Sequence, residues 1–319
     1  MALLALLALT ALAAVVFRLW LRRPSPRGQV PVSVNYHFSR RCNKTCGFCF
    51  HTATTSHVES LEQAKQGLQL LQQAGMRKIN FAGGEPFLYP KLLGDMVDFC
   101  KQTLRLESVS IVTNGSLVKE RFLREHGHSI DILAVSCDSF DEATNIEIGR
   151  GSGDNVSQLY KIAAWCRMYC IKFKLNTVVN RLNHAEDMNA HIAALQPFRW
   201  KCFQVLIVEG ENDSAATLRD ARRFLVTDDE FDRFCQRHGG QTSLVPEPNR
   251  LMAKSYLILD EYLRFLDRTG QQPSPSIIEV GVQKALESVF WDETAFLERG
   301  GVYDWGKASY VGDGKELEW

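Results

Sequence analysis

The stretch Cys42-Asn43-Lys44-Thr45-Cys46-Gly47-Phe48-Cys49 decides the fold of this chain, because its three cysteines stand in the order C-x-x-x-C-x-x-C. Iron–sulfur clusters normally take four cysteine ligands. Three thiolates therefore leave one iron without a protein ligand, and an open coordination position does chemistry whereas a closed one supports structure. The spacing predicts a catalytic iron–sulfur cluster held by Cys42, Cys46 and Cys49.

Zinc is the alternative ligand for these thiolates. His51 and His57 follow the motif closely and would complete a set of three cysteines and one histidine. Zinc sites usually present paired C-x-x-C spacing and four ligands, which this segment lacks. We therefore expect the iron–sulfur cluster.

The composition bounds the class of protein. The chain has 319 residues with 37 basic and 37 acidic side chains, so its net charge gives no reason to expect nucleic-acid binding. Its nine cysteines are odd in number and lack paired spacing, which argues against a disulfide framework and for a reducing compartment. Outside the motif we expect them to be small buried apolar residues.

An apolar stretch opens the chain. Residues 1–17 are almost entirely alanine, leucine and other apolar types, and Arg18, Arg22 and Arg23 follow them. Positive charge after an apolar run keeps the body on the cytosolic side, whereas a signal peptide carries its charge before the run. The run is at the short end for a bilayer span. We expect residues 1–28 to form a membrane-anchoring helix and linker, with a cleaved leader as the alternative.

From residue 29 the sequence alternates short β-branched runs with helical stretches. Six β-then-α units predict an α/β fold, a partial (βα)6 barrel of the TIM type that stops short of eight units. Residues 29–244 would form the barrel, and residues 245–319 an extension that covers its mouth. Strands are predicted at 30–38, 78–81, 108–113, 132–137, 171–179 and 200–208. Helices are predicted at 61–74, 91–103, 116–125, 158–169, 185–195, from 227 onward, and at 257–266.

Chemistry in such barrels sits at the carboxyl ends of the strands. The cysteine motif follows the first predicted strand, and Gly83-Gly84-Glu85 ends the second. Glycines let a backbone approach a ligand closely, and a carboxylate accepts hydrogen bonds from an ammonium group. We therefore expect this tripeptide to lie beside the cluster and to bind a ligand there.

Basic side chains are predicted to point into the barrel. Because side chains alternate along a strand, Lys174 and Asn176 share one face of the fifth strand, and the apolar residues between them face the helices. Lys78 and Lys201 are expected to line the lumen in the same way. Lysines gathered in one lumen repel one another unless a polyanion such as a triphosphate neutralises them. Lys172, by contrast, is expected to be solvated at the barrel bottom.

Residues 40–49, followed one βα unit later by the GGE tripeptide, resemble the signature of the radical SAM superfamily. The resemblance implies a 4Fe–4S cluster whose open iron binds S-adenosylmethionine. An electron from the cluster would split this cofactor into methionine and a 5′-deoxyadenosyl radical. The residues that the resemblance implies for binding S-adenosylmethionine are Gly83, Gly84, Glu85, Thr113, Asn114, Ser136 and Arg150.

Other segments, among them 35–38, 136–140, 203–212 and 255–262, resemble an interferon-induced antiviral branch of that superfamily in vertebrates. That branch converts CTP to 3′-deoxy-3′,4′-didehydro-CTP, a chain terminator of viral RNA polymerases. The resemblance implies removal of the ribose 4′ hydrogen, loss of the 3′ hydroxyl as water with a lysine as acid, and quenching of the radical by a tyrosine. The implied catalytic residues are Tyr256, Lys174 and Lys201. The implied substrate-binding residues are Asn35, Lys78, Lys174, Asn176, Arg199 and Lys201.

The resemblance also implies partners and a location. Trp319 would be recognised by the cytosolic iron–sulfur targeting machinery, and an electron donor of unknown identity would reduce the cluster. The N-terminal helix would place the enzyme on the cytosolic face of the endoplasmic reticulum membrane and on lipid droplets. Two departures concern the substrate site. Ala82 replaces a serine that is usual in the family, and residues 271–276 lack a lysine that the family offers to the phosphates.

Two other functions are compatible with these patterns. The same barrel could act on another nucleotide, a peptide or a cofactor precursor, although a peptide substrate has no need of lysines in the lumen. The chain could also be a membrane-tethered scaffold with a structural cluster. A scaffold would tolerate the loss of Gly84 or Glu85, and both are present.

Overall fold

The computed structural model describes residues 29–267, 269 and 272–307. Its described residues from Pro31 onward belong to one compact unit. The predicted anchoring helix at 1–28 and the predicted targeting residue Trp319 lie outside the described residues and stay predictions. Within the described part of the chain, no helix is long and apolar enough to cross a membrane.

A single sheet of eight strands, each parallel to its neighbours, forms the centre of the fold. The strands are β1 Ser33–His37, β2 Lys78–Ala82, β3 Ser108–Thr113, β4 Ile132–Ser136, β5 Lys172–Val179, β6 Arg199–Gln204, β7 Leu244–Glu247 and β8 Ile258–Leu259. Their order across the sheet is β7-β6-β5-β4-β3-β2-β1-β8. The sheet curls into a half-barrel, which confirms the predicted α/β partial barrel.

Helices follow most of the strands, and two of them begin at the capping residues that the sequence indicates. The Ser60 side chain accepts a hydrogen bond from the backbone N–H of Gln63, and Thr227 forms a complete capping box with Glu230. The helices are α1 Leu61–Gln73, α2 Pro90–Asp98, α3 Glu120–His126, α4 Glu142–Ile148, α5 Asn155–Met168, α6 Asn189–Leu195, α7 Asp228–Arg237, α8 Asn249–Met252, α9 Ile277–Val280, α10 Val282–Glu287 and α11 Glu293–Glu298.

The core lies between the sheet and these helices. In β5, Phe173 and Leu175 are buried, and Trp200 of β6 packs against Phe234 of α7 with ring centroids 6.0 Å apart. The polar residues that alternate with them face the inside of the half-barrel. The alternation that predicted an apolar outer face and a polar lumen is therefore confirmed.

Two strands were missed by the sequence analysis. β7 pairs with β6, and β8 pairs with β1, so residues beyond the predicted boundary at 244 complete the same sheet. The helix predicted at 257–266 is wrong, because this segment contains β8 and then a turn in which Leu263 has a φ of 59°. A short apolar run has no period that separates a buried strand from a helix.

The last described segment also lies differently from the prediction. Residues 301–307 pass beneath the amino ends of the strands instead of covering the mouth. Lys172 Nζ donates to the backbone oxygen of Asp304 at 3.2 Å, and Ser108 Oγ donates to that of Trp305 at 3.2 Å. Lys172 is consequently buried, not solvated. The segment closes the floor of the half-barrel, which the parallel strands alone leave open.

Candidate active site

A large cavity occupies the inside of the half-barrel. Cys42, Cys46 and Cys49 line it at the carboxyl ends of the strands, whereas Lys78, the first residue of β2, lies towards the floor. The polar strand residues that line the cavity are Ser33, Asn35, His37, Lys78, Asn80, Thr113, Ser136, Lys174, Asn176, Lys201 and Gln204. The cavity thus has a thiol end and a basic end.

The cysteine loop, residues 42–49, is fixed by the connection between α4 and α5. Thr45 N donates to Gly149 O, and Gly47 N donates to Ile148 O, both at 2.9 Å. Gly149 has a φ of 86°, and a side chain there would collide with the backbone of Thr45. Glycine at this position therefore allows the loop to lie against the end of α4.

Arg40, two residues before the first cysteine, is buried between two carboxylates. Its Nη1 lies 2.7 Å from Glu211 and its Nε lies 3.0 Å from Glu261. On the other flank of the loop, Thr52 donates its backbone N–H and its hydroxyl to Glu211 at 2.9 and 2.8 Å. One network of buried charges therefore fixes both flanks of the cysteine loop.

The three thiols fit an iron–sulfur cluster better than zinc. In the part of the chain that the structure describes, no group of three or more His, Cys, Asp or Glu residues is spaced to hold a single metal ion. His57, which would complete a zinc site, instead stacks on Tyr262 with ring centroids 4.3 Å apart. Burial raises the pKa of the Cys46 thiol to about 12. A bound metal centre would provide the positive charge that the thiolate requires.

Gly83 and Gly84 allow two backbone segments to pack closely. A side chain at Gly84 would overlap the carbonyl oxygen of Arg41, and Gly83 has a φ of 131°. Gly84 N donates to Ser39 O at 2.7 Å. Both glycines also line the cavity. They therefore bring the start of the cysteine segment onto the end of β2 beside the predicted cofactor site.

Glu85 is placed differently from the prediction. It is fully buried and is not among the residues that line the cavity. Its carboxylate accepts hydrogen bonds from Thr113 Oγ1 at 2.7 Å, Asn114 N at 2.8 Å and Phe87 N at 3.0 Å. Burial raises the pKa of Glu85, and these hydrogen bonds act in the opposite direction. The carboxylate thus fixes the end of β3 instead of facing an ammonium group of a ligand.

The other residues predicted for S-adenosylmethionine do line the cavity. They are Thr113, Asn114, Ser136 and Arg150. Asn114 Nδ2 lies 3.8 Å from Cys42 Sγ, which connects this group to the thiol end. Arg150 forms a buried ion pair with Asp138. A guanidinium has five N–H donors, so this pair leaves others for a ligand carboxylate.

Lys78, Lys174 and Lys201 come together at the basic end. Burial lowers the pKa of Lys78 to about 7, and burial with repulsion from Lys201 and Lys78 lowers the pKa of Lys174 well below its usual range. Lys78 Nζ donates to Ser110 Oγ at 2.7 Å. Within the described residues neither Lys78 nor Lys174 forms an ion pair. An anionic ligand would therefore relieve a cost of burying these charges that the protein compensates only in part.

Lys201 differs because it has a carboxylate partner. Its ammonium contacts Glu247 and donates to the Tyr256 hydroxyl at 2.9 Å. Arg299 Nη1 lies 3.4 Å from Glu247, and its guanidinium lies 3.8 Å from the centre of the Tyr256 ring. Tyr256 lines the cavity from the segment between α8 and β8. Burial raises the pKa of Tyr256, so its hydroxyl keeps its proton.

The remaining predicted substrate residues are only partly in place. Asn35 and Asn176 line the cavity, and Asn176 Oδ1 has no hydrogen-bond partner among the described residues. Arg199 does not line it, because its guanidinium stacks over Tyr303 at 4.1 Å. Arg199 therefore supports Tyr303, a residue of the cavity wall, and its contact with substrate stays a prediction. Ala82, the departure noted above, does face the cavity.

Glu247, Arg299 and Tyr303 were missed by the sequence analysis. All three come from the part of the chain beyond the six predicted strands, and Arg299 and Tyr303 line the cavity. No local pattern marks them. Their positions follow from β7 joining the sheet and from the last described segment forming the floor of the half-barrel.

The fold and the site match a known class. Residues 36–195 match the Radical SAM superfamily. The chain is similar to SuiB of Streptococcus suis bound to S-adenosylmethionine, with a TM-score of 0.64 and 15% identity, over 84% of this chain and 68% of that one. It is also similar to anSMEcpe bound to S-adenosylmethionine and a peptide, with a TM-score of 0.63 and 13% identity, over 80% of each chain. The chain belongs to the radical SAM superfamily, whose cofactors are a 4Fe–4S cluster and S-adenosylmethionine.

Relatives with higher sequence identity show which family of the superfamily the chain belongs to. The S-adenosylmethionine-dependent nucleotide dehydratase RSAD2 of Siniperca chuatsi is 52% identical over 93% of this chain and 84% of its own length. Its namesake in Danio rerio is 53% identical over 91% of this chain and 81% of its own length. Within the superfamily the chain therefore belongs to the RSAD2 (viperin) family, as the resemblance to the antiviral branch predicted.

Proposed function

We propose that this protein dehydrates CTP to 3′-deoxy-3′,4′-didehydro-CTP. The names of its relatives describe nucleotide dehydratases. The observation that carries the proposal is the separation of a basic end from a thiol end within one cavity. A nucleotide whose triphosphate lies among Lys78, Lys174 and Lys201 would direct its ribose towards the cofactor end.

The charges at the basic end suit a triphosphate. Repulsion among the lysines contributes to the lowered pKa of Lys174, so a polyanion would both bind and restore the charged state. Each charge-assisted hydrogen bond contributes about 1.5–3 kcal/mol. Three lysines can therefore supply a large share of the affinity for a nucleotide without any contact to its base.

The residues around Tyr256 suit the dehydration step. When bound, the cluster and S-adenosylmethionine supply a 5′-deoxyadenosyl radical that takes a hydrogen atom from the substrate. Departure of the ribose 3′ hydroxyl as water then requires an acid. Lys201 and Lys174 line the cavity and are the candidate acids, and Tyr256 is the candidate that quenches the substrate radical.

The main alternatives share the fold. Another nucleotide would use the same lysines, and a peptide, as in the peptide-bound neighbour, would not need them. A scaffold with a structural cluster needs neither the cavity nor its basic end. Product analysis therefore separates the three cases.

The test is anaerobic reconstitution of the cluster, followed by addition of S-adenosylmethionine and dithionite with each of the four ribonucleoside triphosphates. We expect CTP to stimulate 5′-deoxyadenosine release most, and a nucleotide product lighter than CTP by one water. Stronger stimulation by another triphosphate would identify that nucleotide, and not CTP, as the substrate. No stimulation by any of the four would exclude nucleotide dehydration.

We also propose, from the sequence, a cytosolic antiviral enzyme on endoplasmic reticulum membranes and lipid droplets. Deletion of residues 1–28 should move the protein from the membrane fraction to the soluble fraction. Substitution Trp319→Ala should lower the iron content per chain in cells, if Trp319 recruits the targeting machinery. Unchanged fractionation would refute the membrane-anchoring role of residues 1–28. Unchanged iron content would refute the role of Trp319 in cluster loading.

A further inference from the structure

Glu247 stands behind the wall of the cavity, not in it. It ends β7, is 1% exposed, and is absent from the lining residues. Its carboxylate contacts Lys201 Nζ and lies 3.4 Å from Arg299 Nη1, and both of these side chains do line the cavity. One carboxylate oxygen, Oε2, has no hydrogen-bond partner among the described residues. Glu247 is thus placed to act on a ligand through these two basic side chains and not by direct contact.

A carboxylate is an unexpected neighbour for a triphosphate site. It opposes the positive potential that Lys78, Lys174 and Arg299 create, so it weakens the attraction for a polyanion. A buried carboxylate also carries a large desolvation cost unless cations compensate it. The arrangement therefore demands a role for Glu247 other than binding phosphate.

We propose that Glu247 is a positioning residue that keeps Lys201 protonated and aimed at the Tyr256 hydroxyl, so that Lys201 is the acid of the dehydration. This inference rests on the proposed function. In the step, the bond between the ribose 3′ carbon and its oxygen breaks with both electrons on the oxygen. The oxygen takes a proton from Lys201 and leaves as water, and one electron from dithionite then completes the product.

The groups that face Lys201 act on its charge in opposite directions. The pKa of Lys201 is lowered to about 8: burial lowers it most, Glu247 raises it, and Arg299 and Arg199 lower it further. Lys174 and Lys78 are further cations close enough to repel Lys201, and the Tyr256 hydroxyl accepts a hydrogen bond from its ammonium. Because Glu247 is the carboxylate that contacts this ammonium, its neutralisation must lower the pKa of Lys201 further. An acid loses activity as the pH rises through its pKa, so the alkaline limb of turnover must move to lower pH.

The test compares the reconstituted wild type with Glu247→Gln, an uncharged isostere, and with Glu125→Gln as the control. Glu125 forms an exposed ion pair with Arg121 on α3, and neither residue lines the cavity. Turnover of CTP is measured between about pH 6 and pH 10, and CTP affinity is measured by calorimetry with S-adenosylmethionine bound.

We expect Glu247→Gln to bind CTP at least as tightly as the wild type, to lose roughly ten- to hundredfold in kcat, and to show an alkaline limb at lower pH. Glu125→Gln should match the wild type. Equal losses of affinity and kcat with an unmoved limb would mean a merely structural role and would overturn the inference.

Two further readouts keep the outcome decisive. Iron content and thermal unfolding show whether Glu247→Gln folds and loads the cluster. If Glu247→Gln does not fold or load the cluster, Glu247→Asp, which retains the charge, is used instead. Its alkaline limb of turnover must then lie near that of the wild type. If the wild type binds CTP without dehydrating it, the proposed function fails. The pH dependence of CTP binding then still reports whether Glu247 sets the charge of Lys201, and an unchanged dependence would refute that claim separately.

Discussion

Lys174 shows how a single buried charge indicates a ligand. It projects into the cavity from the middle of β5, next to Lys78 and Lys201, and has no ion-pair partner among the described residues. Folding must therefore desolvate its ammonium or remove its proton, and both cost free energy. Such a residue is a poor contributor to stability and a good contributor to anion binding.

We predict that Lys174→Met raises thermal stability and weakens CTP binding by about tenfold or more, because roughly 1.4 kcal/mol corresponds to each factor of ten. Calorimetry and thermal unfolding of the same preparations measure both effects. Lys161→Met on the exposed face of α5 is the matched control and should change neither. A destabilised Lys174→Met variant with normal affinity would contradict the assignment.

Tyr256 is predicted to act after the substrate radical forms. Tyr256→Phe keeps the ring that lies over Arg299 and loses the hydroxyl that accepts a hydrogen bond from Lys201. We expect 5′-deoxyadenosine release to continue while the dehydrated nucleotide falls by about tenfold or more. The control is Tyr262→Phe, because Tyr262 stacks on His57 outside the cavity. Full product formation by Tyr256→Phe would remove Tyr256 from the reaction.

At the scale of elements, the cysteine loop depends on segments that are distant in the sequence. Arg40 reaches Glu211 in the loop after β6 and Glu261 in the turn after β8. These ion pairs add to the backbone hydrogen bonds that hold the loop against Ile148 and Gly149. The order of the loop therefore depends on the C-terminal part of the sheet being folded.

We predict that Glu261→Gln lowers the iron bound per chain after reconstitution, because Arg40 would keep its charge but lose a buried partner at 3.0 Å. Iron analysis and the visible absorption of the cluster measure this independently of turnover. Glu107→Gln, whose partner Arg77 is exposed, provides the control. Wild-type iron content in Glu261→Gln would show that the ion pair between Arg40 and Glu261 is not needed to load the cluster.

At the scale of the whole molecule, the floor of the half-barrel is made by residues 301–307. Trp305 is fully buried there, with Lys78 Nζ 5.5 Å from its ring centre. The basic end of the cavity thus rests on a segment that follows every strand in the sequence. The cavity is therefore closed at this end only when the last described segment is in place.

We predict that Trp305→Ala reduces the free energy of unfolding by about 3–5 kcal/mol, as expected for a large aromatic residue removed from a core. It should also weaken CTP binding, because water would enter beneath Lys78. Denaturant titration and calorimetry test the two effects. Val302→Ala, at an exposed position of the same segment, should have little effect on either. Normal stability of Trp305→Ala would mean that the floor contributes little.

Local patterns were sufficient for much of the fold. Strand β3 occupies the predicted residues 108–113, and the capping residues Ser60 and Thr227 mark true helix starts. The period of two along β5 also placed Lys174 and Asn176 in the cavity. These features depend on neighbours within a few residues, so the sequence displays them directly.

Other features depend on contacts between distant segments. β8 is only two residues long and exists because β1 offers it hydrogen bonds, such as Asn35 N to Leu257 O at 2.9 Å. The carboxylate of Glu85, predicted to bind a ligand, is fully buried and accepts a hydrogen bond from Asn114 N at the end of β3. No pattern within either segment contains that information.

The half-barrel, its three cluster cysteines and the lysines of its lumen could be predicted from the sequence, because spacing and alternation are local properties of the chain. The carboxylates that accompany those groups became known only from the folded structure. Glu247 meets Lys201 across 46 positions and Arg299 across 52, and Glu261 meets Arg40 across 221. Charges interact through space at a few ångströms, and only the folded chain sets which of them come that close.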